Sequence, residues 1–283
     1  MVAANLDTLF VEVNSNEQLE RVRLEYLNKG ETAFALLDKE LGPTVYAITF
    51  KRLAAKPGDR QYVSVIDCRG QKAWRSYFSK WHELAHLLAL TQQMRLKFCR
   101  THADAGTRDP EEALMEVIAG KVGFFDDIIA QQVSGRISFQ RIQDARSLLC
   151  PDASQQASII GFVNAWPLPS ILVEAGLGHK AKEKNQLDQG AFEFLGPPAA
   201  MLRALRVSPN ERARKLGMVI HRNMRIPKRS VIHQVFTDDL RDAEAQEDLG
   251  WWETSTGQCL SERQVYVTAR RSGEHVLGLI TPM

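Results

Sequence analysis

Residues 80–88 read Lys80-Trp81-His82-Glu83-Leu84-Ala85-His86-Leu87-Leu88 and contain the pattern H-E-x-x-H. The pattern has a mechanical meaning only on a helix. There His82 and His86 stand one turn apart on one face, close enough to grip a single metal ion. Glu83 borders that face without being forced into the ligand set, which is where a general base takes a proton from water on the metal. Phe78, Trp81, Ala85 and Leu88 recur at spacings of three and four, and no Gly or Pro interrupts residues 73–100, so the spacing predicts a helix. A His pair at this spacing can be a plain polar stripe. Here, however, the flanks are apolar (Trp81, Leu84, Leu87, Leu88, Leu90), and two imidazoles with a carboxylate in such surroundings cost on the order of several kcal/mol unless something satisfies them. A metal answers that need.

The chain of 283 residues is too long for most single cores, so two or three domains are expected. Hydrophobic content of 44% and charged content of 25% are ordinary globular values, and a net charge of +2 marks neither a dedicated nucleic-acid binder nor an acidic tail. No uninterrupted apolar run is long enough to span a bilayer, and no apolar leader follows a basic start. Cys68, Cys99, Cys150 and Cys259 form no C-x-x-C, so they read as free thiols in a reducing compartment. The expected location is the cytoplasm, with no membrane partner; the sequence leaves the oligomeric state open.

Ahead of the motif, residues 8–13 predict a strand, Asn16 to Asn28 a helix capped by Asn16, and Glu31 to Leu41 a second helix. Thr44 to Phe50 and Gln61 to Asp67 predict strands separated by the turn residues Lys56-Pro57-Gly58-Asp59. This is the order of a small α+β metallopeptidase, and the strand just before the metal helix is expected to offer an edge to a peptide.

A catalytic zinc usually has three protein ligands and an open position. A third His six residues beyond His86 is absent, because Gln92 stands there. The candidates are His102, Asp104, Glu111, Glu112 and Glu116. Asp109-Pro110-Glu111-Glu112 is a helix start, with Asp109 as N-cap and Glu112 in a capping-box position, which gives the two glutamates a structural purpose. Glu116 lies among Leu114, Met115, Val117 and Ile118, on a helix whose apolar residues continue through Val122, Phe125 and Ile129. A lone carboxylate there wants a cation, and a helix holds a ligand rigidly, so Glu116 is the expected third ligand.

With these residues the chain resembles the metallo-endopeptidase family that includes ImmA and IrrE. That family pairs H-E-x-x-H with a second helix reading close to E-x-x-A-N-x-x-A. Glu116 and Ala119 match it, and Gly120 stands where Asn is usual. The resemblance implies a gluzincin-like, zinc-type endopeptidase in which His82, His86 and Glu116 hold Zn2+, with Mn2+ as the alternative in the cell, and Glu83 is the catalytic base. It also implies a narrow substrate, a helix–turn–helix transcriptional repressor whose cleavage releases stress-response or mobile-element genes.

Beyond Val133-Ser134-Gly135, helices are expected over 137–149 and 154–166, with a third beginning at 170–175. The outline is that of a helix–turn–helix, as in the IrrE-like members. The helix over 154–166 carries no Lys or Arg, however, which suits a bracing role better than a groove lined with phosphates. Residues 176–190 read as a polar linker. Val231 to Phe236 and Gln264 to Ala269 predict strands, and Arg271-Ser272-Gly273-Glu274 a hairpin into a last strand, His275 to Ile280. This closing pair resembles the GAF-like sensor domain that ends the IrrE-like subset.

The expected fold is therefore α+β in three parts: a zincin-like metallopeptidase domain over 1–133, a helical helix–turn–helix-like module over 134–180, and an α+β GAF-like domain over 181–283. Arg203, Arg206, Arg212, Arg214, Lys215, Arg222, Arg225, Lys228 and Arg229, opposed only by Glu211, form a basic region that is either a solvated face or a seat for nucleic acid or an acidic partner. The rival to the peptidase is a non-catalytic regulator that binds a repressor or DNA.

Overall fold

The computed structural model describes residues 6–89, 110–180, 183, 199–254 and 257–283, and the backbone of 95–99. The protein is mixed α and β, in two compact units: residues 1–125 with 150–157, and residues 126–149 with 158–283. Among the described residues no helix is long and apolar enough to cross a membrane.

In the first unit, strands β1 (Thr8–Val13), β2 (Val45–Lys51), β3 (Tyr62–Asp67) and β4 (Arg95–Cys99) form a sheet in the order β1-β3-β2-β4. β1 runs parallel to β3, and β2 is antiparallel to both β3 and β4. Every residue of β3 from Val63 on is buried, as a strand covered on both faces requires. β3 is thus central and offers no free edge, contrary to the expectation of a peptide-binding edge there. β4 went unmarked in the sequence. Its register against β2 puts Leu96 opposite Thr49 and Phe98 opposite Ala47.

One sheet face carries Val13, Ile48, Phe50, Val63 and Val65 and packs under α1 (Asn16–Asn28), whose Leu19, Val22 and Tyr26 face it. Ser15, not Asn16, caps this helix, its side chain accepting from the Gln18 N–H. A 3-10 turn (Thr32–Leu36) and one short helix, α2 (Leu37–Glu40), replace the expected helix over 31–41. They bring Phe34 between Tyr26 and Phe50, with ring centroids 4.3 and 4.2 Å apart. The opposite face presents Phe10, Ala47, Thr49, Ser64 and Ile66, and on it lies the motif helix, α3 (Ser76–Ala89).

The chain enters α3 through a riveted corner at the end of β3. Buried Asp67 accepts from the Arg69 side chain at 2.8 Å and from Lys72 Nζ at 2.6 Å. Arg69 also donates to Asn16 and the Leu41 carbonyl, and Lys72 to the Gly42 and Val45 carbonyls. α4 (Pro110–Phe124) runs back along α3: Tyr77, near the start of α3, donates to the Gly123 carbonyl, while His86 lies beside Glu112. The expected continuation of this helix to Ile129 fails. The backbone turns at Phe125, where φ is +35°, and a separate helix, α5 (Asp126–Gln132), begins.

The second unit contains α6 (Phe139–Leu149) and the greater part of α7 (Gln155–Ala165), close to their expected positions. The third helix of the expected module does not form. Residues 171–178 are strand β5, buried over most of its length as an inner strand of an antiparallel sheet with β6 (Met201–Pro209), β7 (Asp242–Asp248), β8 (Gln264–Ser272) and β9 (His275–Pro282), in the order β6-β5-β9-β8-β7. Much of the expected linker from 184 onward lies outside the described residues. A short helix, α8 (Glu211–Lys215), starts at Asn210, whose side chain accepts from the Ala213 N–H. The β-branched run Val231 to Phe236, expected as a strand, is helix α9 (Val231–Thr237). Ser230 caps it, Glu247 accepts from the Val231 N–H at 2.7 Å, and Ile232 closes over Gly278 of the sheet. Caps and packing override strand propensity here.

Burial opposes ionisation of Asp67, but hydrogen bonds from Arg69 and Lys72 outweigh it and hold the carboxyl below its ordinary value. A carboxylate lowered in the folded state stabilises above its unfolded pKa, and the contribution is lost as pH falls through the folded value. Asp67→Asn therefore lowers unfolding free energy by about 2–4 kcal/mol at pH 7, measured in urea. The gap from the parent closes in acid, below the normal aspartate pKa.

Candidate metal centre

The apolar surface of α3 is interrupted by the adjacent His82 and Glu83 and, one turn on, by His86, all buried. Around them Leu84 and Leu87 pack with Phe10 and Tyr62, and Ala85 packs with Met115 and Ala119 of α4. The two helices approach closely because α4 turns small residues toward α3. A Cβ on Gly123 would stand 2.8 Å from the Trp81 ring. The face running Glu112, Met115, Ala119, Gly123 is thus set against Trp81, Ala85 and the histidines.

That approach brings the Glu112 carboxylate to both imidazoles. His82 Nε2 and His86 Nε2 are 3.0 Å apart, Glu112 Oε2 is 3.2 Å from His82 Nε2, and Glu112 Oε1 is 3.5 Å from His86 Nε2. Among the described residues these three form a cluster able to hold a metal. The expected ligand Glu116 is not in the cluster; it sits one turn further along α4, and its charge is felt at His82. Its apolar sequence neighbours do not all pack inward: Leu114 and Val117 are 53% and 56% exposed. Glu112 was discounted as a helix cap. The signal that places it was its position on the stripe of Met115, Ala119 and Gly123, at spacings of three and four. His102, Asp104 and the capping residue Asp109 lie outside the described residues, and Glu111, exposed, is not in the cluster.

The donor set fits a small divalent ion. Bonds of about 2.0–2.1 Å at tetrahedral angles put donor atoms about 3.3 Å apart, and the separations here bracket that value. Burial pushes the His82 pKa down, toward the neutral form that ligates a metal. Burial likewise opposes charge on His86 and Glu112, but hydrogen bonds prevail: the bond to Glu112 raises His86, and bonds to His82 and then His86 pull Glu112 down to about 2. A carboxylate held beside two imidazoles could hold a cation.

Glu83 is oriented differently. Its Oε2 accepts from Thr49 Oγ1 of β2 at 2.5 Å, and its Oε1 is buried with no hydrogen-bond partner among the described residues. Burial lifts its pKa to about 7, against the Thr49 hydrogen bond and the pull of His86. Such a group can accept and release a proton near neutral pH.

In the basic region, Arg203 is buried and donates to the Gly178 and Asn223 carbonyls, Arg206 faces Glu174, Arg212 donates to the Trp166 carbonyl, and Lys215 pairs with Glu211. Arg222, Arg225, Lys228 and Arg229 are exposed.

No protein-family model matches the chain, and no curated protein matches it.

Gly123→Ala forces Trp81 and α4 apart. It lowers stability by about 1–3 kcal/mol and weakens binding of added Zn2+, both measurable by thermal unfolding and calorimetry. Gly120→Ala, where an added Cβ meets nothing within 4 Å, spares both.

Proposed function

We propose that this protein is a zinc-type metallo-endopeptidase of the cytoplasm, with His82, His86 and Glu112 as the residues that hold the ion and Glu83 as the catalytic base. The observation that carries the reading is the convergence of three donor atoms beside a buried glutamate with one uncommitted oxygen. Glu112 takes the ligand role expected of Glu116. A bound divalent ion, Zn2+ or Mn2+, supplies Lewis acidity, polarising a carbonyl and acidifying water. Glu83 Oε1 takes the proton of the attacking water and delivers it to the leaving amine. Glu112 lies against both imidazoles, and Leu84, Leu87 and Trp81 pack together beside them, which keeps bulk water from that side of the site.

The substrate proposed is a helix–turn–helix repressor, on the resemblance to the ImmA and IrrE family alone. The GAF-like reading of the C-terminal sheet is likewise a proposal; the closing hairpin of β8 and β9 supports it. A second reading, a non-catalytic regulator that holds a repressor or DNA, is favoured by the exposed cations Arg222, Arg225, Lys228 and Arg229.

The zinc-loaded chain is mixed with helix–turn–helix repressors encoded beside it, and fragments are sought by mass spectrometry. Glu83→Gln retains zinc and loses at least about 100-fold in cleavage rate. Glu112→Ala lowers zinc affinity by more than about 100-fold, beyond the scale of losing a supporting residue, and Glu116→Ala lowers it far less. Equal binding loss in the two variants would return Glu116 to the ligand set. Cleavage that survives Glu83→Gln would remove the mechanism.

A further inference from the structure

Thr49 and Ser64 lie directly opposite each other on β2 and β3, in the sheet face that α3 covers. They are 1% and 0% exposed, among Ala47, Ile66 and Phe10. Their hydroxyls are 2.6 Å apart, and Thr49 Oγ1 is also 2.5 Å from Glu83 Oε2. A hydroxyl has one proton to give. Thr49 gives its proton to the carboxylate, so Ser64 is the donor to Thr49, and the three groups form a chain with one direction.

The sheet itself has no use for these hydroxyls. Valine fills the volume of threonine, suits a strand as well, and has no polar atom to satisfy in a buried layer. What the hydroxyls explain is Glu83. Thr49, itself bonded to Ser64, engages Oε2 and leaves Oε1, also buried, without a hydrogen-bond partner among the described residues. Both donors sit on strands with a neighbour on each side, so the anchor point is rigid.

We propose that Thr49, with its proton oriented by Ser64, is the positioning residue that pins Glu83 through Oε2 and leaves Oε1 as the oxygen that works as the base. This rests on the peptidase reading. It adds a requirement for two strand hydroxyls that neither bind the ion nor touch the substrate.

The test uses the full chain with Thr49→Val, Thr49→Ser and Ser64→Ala. The first readout needs no turnover: the carboxylate stretch of Glu83 in 13C-glutamate infrared spectra, isolated by subtracting the spectrum of Glu83→Gln. Thr49→Val shifts the band and Thr49→Ser restores it. The second readout is cleavage below the unfolding temperature. With Thr49→Val, kcat falls about 10- to 100-fold with KM and zinc affinity unchanged; Thr49→Ser recovers most of the loss; Ser64→Ala gives a smaller fall. A merely structural Thr49 would move the melting temperature and leave the band and kcat in place, and that result overturns the proposal. Should Thr49→Val fail to fold, Ser64→Ala carries the same two readouts. Should the parent cleave nothing, the peptidase reading falls and the infrared band alone decides the positioning: a band unmoved in Thr49→Val and Ser64→Ala overturns it.

Discussion

The whole arrangement depends on the closeness of two antiparallel helices. α3 alone would bury two imidazoles and a carboxylate on an apolar face, an expense with no return. α4 changes that only because Ala119 and Gly123 let its backbone reach Trp81 and Ala85, which carries Glu112 to within 3.5 Å of both histidines. The sheet does the same from the other side, where Thr49 meets Glu83. The motif's polar groups on α3 are therefore met by two different neighbours: the imidazoles by α4, the glutamate by β2. The two environments stay separate although the residues are adjacent in sequence.

Much of the first unit was legible in the sequence. The helix over 16–28, the strands over 45–51 and 62–67, and the motif helix were written in periodicity and turn residues, signals that depend on nearby residues only. Errors arose where a distant partner decides. Residues 231–237 are β-branched, but Ser230 and Glu247 cap them into a helix, and Glu247 is contributed by a strand the chain has yet to form. Residues 171–178 are apolar without alternation, a pattern shared by buried strands and buried helices, and only pairing with β6 and β9 separates the two.

The site shows the same division. His82, Glu83 and His86 are adjacent in sequence and could be read together. Glu112 and Glu116 are one turn apart on one helix, and only the stripe of Met115, Ala119 and Gly123 at spacings of three and four marks Glu112 as the one that faces α3. Apolar sequence neighbours point to Glu116, but two of them, Leu114 and Val117, are exposed, and Glu112 is the carboxylate that joins the histidines. The role of Thr49 and Ser64 was invisible for a further reason: it requires the register of β2 against β3 as well as the height of α3 above the sheet. The arginines of 203–229 illustrate the reverse. They read as one basic block, yet the fold spends Arg203 and Arg212 on backbone carbonyls.

The strand order of the second unit bears on how the chain assembles. β9 is last in sequence and middle in space, bonded to β5 on one side and β8 on the other. Ile171 pairs with Ile280, a contact that closes a very long loop. Until that strand docks, the hairpins β5–β6 and β7–β8 share no ladder and their apolar faces stand open. Slow, late-closing topology of this kind leaves a nascent chain sticky for longer. During synthesis, the first unit's sheet is able to close over its own core while the second still waits for its keystone.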